Sequence, residues 1–415
     1  MDLLAHETAS LASSSSRSKT VTDREVSRPA ALTSRTSDFW LLGGASILLW
    51  GVLGIGQSLR GSSEAIENHF TQLAGLFSIF SIFCNYPHFM ISYRFGYGQG
   101  AKFIFRHWFS LVALPLGLIA LYALAYFKFD SEISEASWVL TSNHLFDKVG
   151  IGFRFGTLSN LGTETLSLSV LLMNLTVGWH YSKQVFGCMM VYSKYDLYPI
   201  SKIQRHIIKA SLFSVAFFNF FYLAIYAPEY NSNSLARGYF FNIPMISLGL
   251  PKFLIPLSAV MSAVFAVATI YFVFYKNYRT HGRPTSLNLL IPWMAFHIWW
   301  IPLFRQNEYY FLAVPFFHSL QYLPFAYRRV IGNVKQNTKR NDVTRALKLG
   351  SLLLIGFSAF EWIPSQLDKT LDTSWYLKTW FFMIAFAVFI NVHHFFIDSV
   401  VWKLDQKEVR NTLLN

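Results

Sequence analysis

A chain of 415 residues in which 53% are hydrophobic, 18% aromatic and only 14% charged carries more apolar surface than a soluble core of that length can bury. This excludes an ordinary soluble domain and points to a polytopic membrane protein. The formal net charge of +13 would suit nucleic acid or an anionic membrane surface, and the placement of the basic residues between apolar runs, described below, favours the membrane and excludes nucleic acid as a partner.

Residues 1–37 are rich in Ser and Thr, mix both charges and hold no apolar run, so they read as a disordered cytoplasmic tail. No cleavable signal peptide is visible, because the first apolar run is long enough to stay in the membrane. Apolar runs of roughly 17 to 25 residues, the length of a membrane-crossing helix, follow at 39–59, 70–93, 108–127, 166–191, 210–226, 253–275, 287–304, 309–327, 347–362 and 375–402. The fifth and ninth are short, and 239–250 reads as a further re-entrant or interfacial piece. The expected fold is all-α: a polytopic transmembrane bundle of about ten helices over 38–403, followed by a short cytoplasmic tail at 404–415.

Most of the 35 Lys and Arg residues fall in alternate loops: before the first run, after each even-numbered run, and in the C-terminal tail, where Lys403, Lys407 and Arg410 close the series. By the positive-inside rule both termini are cytoplasmic, and a bacterial inner membrane is the expected location. The outward loop 128–164 is acidic and long enough to hold structure of its own. Glycines at 96, 98 and 100 lack the GxGxxG spacing of a phosphate loop and read as a turn after the second helix. Cys84 and Cys188 fall within predicted helices, form no CxxC motif and read as packing residues.

Polar residues inside the apolar runs need a reason, because an ionisable group in hydrocarbon costs at least a few kcal/mol. With the amino terminus inside, the second, fourth, eighth and tenth helices all run outside to inside. Counted back from the next cytoplasmic base (Arg94, Lys194, Arg328 and Lys403), His88, His180, His318 and His393 lie about 9, 21, 15 and 15 Å along their helix axes. The depths cluster in the inner half of a hydrocarbon core about 30 Å thick. His297, in the seventh helix, lies toward the outer side.

Helical spacing adds polar neighbours to each histidine. Gln184 follows His180 at i+4, Gln321 and Tyr322 share a face with His318, and Tyr181 and Lys183 adjoin His180. In the last helix Asn391, His394 and Asp398 lie on one face while His393 points about 100° away. Asp398 is placed to accept the second ring N–H of His394, an arrangement that orients histidines in metal sites. Several imidazoles in a dry layer suit iron, copper or zinc. The candidate metal ligands are therefore His88, His180, His318, His393 and His394, with Asp398, Gln184, Gln321, Tyr181 and Tyr322 as nearby catalytic or supporting groups. The competing reading of each polar residue is helix-to-helix hydrogen bonding.

The histidine layer resembles that of the histidine-rich integral-membrane non-haem iron oxygenases, which include desaturases, hydroxylases and Brp/Blh-type carotene dioxygenases. The chain has one His393-His394 pair and no HxxxH or HxxHH box, so the helix-borne histidines of the dioxygenases are the nearer likeness. The resemblance implies an iron-dependent oxidoreductase acting on an apolar small molecule, a lipid or isoprenoid, taken from the lipid bilayer, with an electron donor as a further partner. Two other classes remain open. A proton-coupled transporter would use His180, Lys183, His318 and Asp398 as a pathway, and a haem protein of electron transfer would use two facing histidines as axial ligands.

Overall fold

The computed structural model describes residues 31–60, 64–158, 160–226, 243–301, 313–332, 340–371 and 378–414. Among the described residues the protein is all-helical, with a single isolated β-bridge between Glu132 and Asn160. Helical segments coincide with all ten apolar runs: α1 (Arg35–Gly56), α2 (Glu64–Tyr97), α3 (Phe109–Phe127), α4 (Leu161–Tyr195), α5 (Lys202–Tyr226), α6 (Leu254–His281), α7 (Leu287–Trp300), α8 (Ala313–Gly332), α9 (Arg340–Phe357) and α10 (Lys378–Val401). Six of these (α1, α3, α4, α5, α6 and α10) are long and apolar enough to cross a membrane.

The bundle is built around α4, whose sequence explains how a helix full of polar residues is tolerated at the centre. Asn160 caps it by accepting the Thr163 N–H at 2.8 Å. Further along, Ser169, Thr176 and Ser182 turn their hydroxyls back onto the carbonyls of Leu166, Leu172 and Gly178 at 2.7–2.8 Å. These three hydroxyls are thus satisfied within the helix. Gly178 marks a close crossing: a Cβ there would lie 3.1 Å from the Cβ of Ala216 on α5 and 3.4 Å from the Trp300 ring on α7. On the other flank Leu166, Val170 and Leu171 pack with Ile384, Val388 and Val392 of α10.

Helices α2, α8 and α10 complete the group around the site. α2 packs on both α8 and α10, and α10 packs on α4. Pro87, immediately before His88, and Pro324 each remove a backbone donor inside their helices. Ser319 donates to the Asn85 side chain across the α2–α8 contact.

Several expectations outside the bundle have visible counterparts. The loop 128–164 contains a helix at Ser137–Lys148, with Trp138, Phe146, Phe153 and Phe155 packed ring against ring. The chain turns after α2 with Gly100 at φ 85°. Residues 239–242 lie outside the described residues, and 243–250 run without helix. Ile243, Met245 and Ile246 are buried there, and Ile246 N–H donates to Ser167 Oγ at 2.7 Å. Of the expected tail, residues 1–30 lie outside the described residues. Leu32 is already buried, and the N–H groups of Leu32 and Thr33 and the Thr33 hydroxyl all donate to Asp38. Tyr192 of α4 donates to the same carboxylate, which anchors the start of α1.

Candidate metal centre

Four helices deliver one imidazole each to a common point. The Nε2 atoms of His88 (α2) and His394 (α10) are 2.9 Å apart, and those of His180 (α4) and His318 (α8) are 3.1 Å apart. One ligand nitrogen from each of the four lies within 4.8 Å of all the others. Nitrogens bound to one ion at about 2.1 Å are separated by roughly 3.0 Å at right angles and roughly 4.2 Å when opposite. The 2.9 and 3.1 Å pairs match the first spacing, and the 4.8 Å spread of the quartet is slightly wider than the second, so the rings would draw in a little around one ion. His88 and His394 are fully buried, and His180 is 4% exposed.

Asp398 faces the same point. Its Oδ2 lies 3.6 Å from His394 Nε2 and 4.0 Å from the Nε2 atoms of both His88 and His180. This differs from the expected contact with the second ring nitrogen of His394. Both side chains leave one face of α10 toward the same centre, so the carboxylate meets the nitrogen that also faces the other histidines. His394 Nδ1, His88 Nδ1 and Asp398 Oδ1 are buried with no hydrogen-bond partner among the described residues. A buried carboxylate beside three of the four imidazoles, with one oxygen lacking a donor, is costly alone and well matched to a cation at the centre.

The rings are held by a closed cycle of aromatic contacts. Phe89, next to His88, packs edge-on against His394 at 4.6 Å. Phe395, next to His394, stacks on His180 at 4.6 Å. Tyr181, next to His180, stacks on His318 at 3.7 Å and 13°. Tyr322, one turn after His318, stacks on His88 at 3.9 Å and 11°. Each histidine therefore brings an aromatic that clamps the histidine of another helix. Tyr322 is itself fixed, because its hydroxyl hydrogen-bonds Ser92 Oγ at 2.9 Å and accepts from Trp402 Nε1 at 3.2 Å. Tyr181 and Tyr322, expected as catalytic or supporting groups, act here as ring clamps, and Phe89 and Phe395 were not among the expected site residues. The aromatic directly after three of the four histidines was the available signal.

The two glutamines hold backbone. Gln184 Nε2 donates to the His318 carbonyl at 2.9 Å and to Gln321 Oε1 at 3.1 Å, and Gln321 Nε2 donates to the Leu42 carbonyl at 2.8 Å. That carbonyl belongs to a π-helical turn at Trp40–Gly44 in α1. The glutamines thus tie α4, α8 and α1 together around the site.

His393 lies outside the quartet, on the next face of α10. The Tyr97 hydroxyl donates to the Leu111 carbonyl at 2.7 Å, so it accepts from His393 Nε2–H at 3.1 Å, and His393 Nδ1 accepts from the Tyr93 hydroxyl at 2.9 Å. The ring is fully used by these partners. His297 bridges the Trp293 carbonyl and Ser211 on its own, and Asn391 donates to the Ala387 carbonyl of its own helix at 2.8 Å. Cys84 and Cys188 are free thiols and not members of the quartet. Lys183 lies over the Trp179 ring at 3.9 Å.

A cavity of about 470 Å³ reaches the centre, with His180, Tyr322 and Asp398 in its wall. No protein-family model, no characterised protein and no solved structure matches the chain.

Proposed function

We propose that the protein is a multi-pass membrane metalloenzyme that holds one metal ion, iron by preference, on His88, His180, His318 and His394 with Asp398 as a fifth donor, and that it oxidises a lipophilic substrate. In this reading all ten helices cross the membrane, with both termini on the Lys- and Arg-rich side. The observation that carries it is the convergence of four ligand nitrogens from four helices within 4.8 Å in a buried layer. Four imidazoles with a carboxylate beside them exceed the four positions of a structural zinc site and suit an ion that takes five or six ligands. The cavity leaves one side of the set approachable, a feature of catalytic rather than structural sites. The likeness to histidine-rich membrane oxygenases supplies the reaction class.

When bound, the ion supplies a redox-active Lewis-acid centre for oxygen chemistry. The chain's own part is positional and electrostatic. Phe89, Phe395, Tyr181 and Tyr322 set the ring planes and keep water from the imidazoles. Asp398 offsets the charge of a cation, and its Oδ1, which has no donor among the described residues, is the atom able to hold a proton beside the cavity. A haem is a poor fit, because the macrocycle needs a slot between its axial ligands, and the His88 and His394 tips are 2.9 Å apart.

Metal analysis by mass spectrometry on protein purified without a His-tag tests the reading, with about one equivalent of iron per folded chain expected. Alanine at His180, His318 or His394 is expected to abolish most of that metal, whereas His393→Ala retains it. Normal occupancy in all three variants overturns the site. A folded, metal-free protein with proton-dependent flux would assign the buried polar residues to transport.

A further inference from the structure

The cavity that touches His180 and Asp398 is also lined by Lys183, Lys209 and Lys403. These lysines come from α4, from α5 and from the segment after α10. None forms an ion pair among the described residues, although Asp405 lines the same cavity. Lys183 and Lys209 rest instead over the rings of Trp179 and Phe186, at 3.9 and 4.8 Å. Three lysines against the two carboxylates Asp398 and Asp405 leave the wall of this cavity net positive, and Asp398 faces the histidines, so the lysines are the groups free to attract an anion.

A second feature adjoins this cavity. A groove of about 340 Å³ runs between α4, α5 and α10, bounded by Leu175, Thr176, Trp179, Phe213, Phe217 and Phe396, with no charged residue in its wall. Leu175 and Phe217 leave it open outward. Trp179 joins the two features: its ring lies under the Lys183 ammonium and packs against Phe396 at 5.5 Å. Charge at one end and an uncharged aromatic trough at the other are complementary to an amphiphile with an anionic head.

We propose that the substrate is an anionic amphiphile whose carboxylate or phosphate head is bound by Lys183, Lys209 and Lys403 while its hydrocarbon tail lies along Trp179 and Phe396. Lys183 follows His180 by three residues, about 4.5 Å along the helix axis, so the atoms next to the head face His180 and Asp398, and the tail leads away from them. The assignment of these atoms as the reacting ones rests on the metalloenzyme reading; the binding does not.

The test measures binding of radiolabelled palmitate, hexadecyl phosphate and hexadecanol to the full chain in neutral phosphatidylcholine nanodiscs. Inorganic phosphate serves as competitor, and metal content is measured on the same samples. Both anionic amphiphiles are expected to bind on the order of tenfold more tightly than the alcohol, and inorganic phosphate is expected to compete poorly. Lys183→Gln combined with Lys403→Gln should remove that preference while leaving alcohol binding and metal content unchanged. Leu175→Trp, which fills the groove, should weaken all three amphiphiles. Equal affinity for palmitate and hexadecanol, or a preference that survives the lysine changes, overturns the head site. Displacement by inorganic phosphate as effective as that by hexadecyl phosphate, or full binding to the Leu175→Trp protein, overturns the groove. A metal-free protein that keeps the anionic preference overturns the metalloenzyme reading and supports the binding site.

Discussion

His88, His180, His318 and His394 each owe their orientation to an aromatic ring carried by a different helix. Such groups, which touch ligands rather than metal, commonly change metal affinity 10- to 100-fold. Phe395→Ala should therefore lower metal affinity by on the order of tenfold, read by competition with a chelator. Phe396→Ala, one residue on and facing the groove, should not; equal loss in both would rule out the ring clamp. Adjacent residues separate in the same way at His393 and His394. The 100° step between them was readable in the sequence, and it sends one ring to Tyr93 and Tyr97 and the other to the quartet. What could not be read was the target of each polar tip. Gln184 and Gln321 share helical faces with His180 and His318, but their amides reach carbonyls on other helices. Spacing along one helix says nothing of what stands opposite.

At the scale of elements, apolar run length located the helices well, because burying a helix in hydrocarbon demands a stretch of about 20 apolar residues. Local departures were hidden. The Gly43-Gly44 pair lies in a π-helical turn where a Cβ on Gly43 would come within 2.9 Å of Ala295 Cβ and 3.0 Å of the Ile291 carbonyl on α7. The turn frees the Leu42 carbonyl for Gln321, 279 residues along the chain. Gln321→Leu should leave that buried carbonyl and the Gln184 amide short of partners. The expected cost is about 1–3 kcal/mol, measurable as a lower unfolding temperature in detergent, and an unchanged temperature would mean the tie contributes nothing. Gly178→Val tests the other close crossing. Its side chain would press on Ala216 and Trp300, and a loss of about 1–3 kcal/mol is expected from overpacking. The segment 243–250 shows the same dependence on distant partners. It is non-helical and apolar, its buried side chains pack with residues of α3, α4 and α10, and Ser167 supplies a backbone partner.

At the scale of the whole molecule, the quartet joins α2, α4, α8 and α10, whose histidines span residues 88 to 394. An ion there would cross-link the bundle, and a ligand that binds only the folded state adds about 2.7 kcal/mol at a hundred times its dissociation constant. Chelation should therefore lower the unfolding temperature of the native protein, and re-addition of the metal should restore it. Identical unfolding before and after verified metal removal would detach the centre from stability.

The sequence by itself determined the all-helical class, the positions of the helices and the placement of the histidines within apolar runs. Hydrophobic run length and the fixed helical rise act along one axis and are local quantities. Only the tertiary structure decided which histidines meet, that Asp398 faces the same point as four imidazoles, and that each ring is clamped by an aromatic from another helix. Those outcomes depend on the rotation of each helix about its axis, which is set by packing against neighbours far away in the chain.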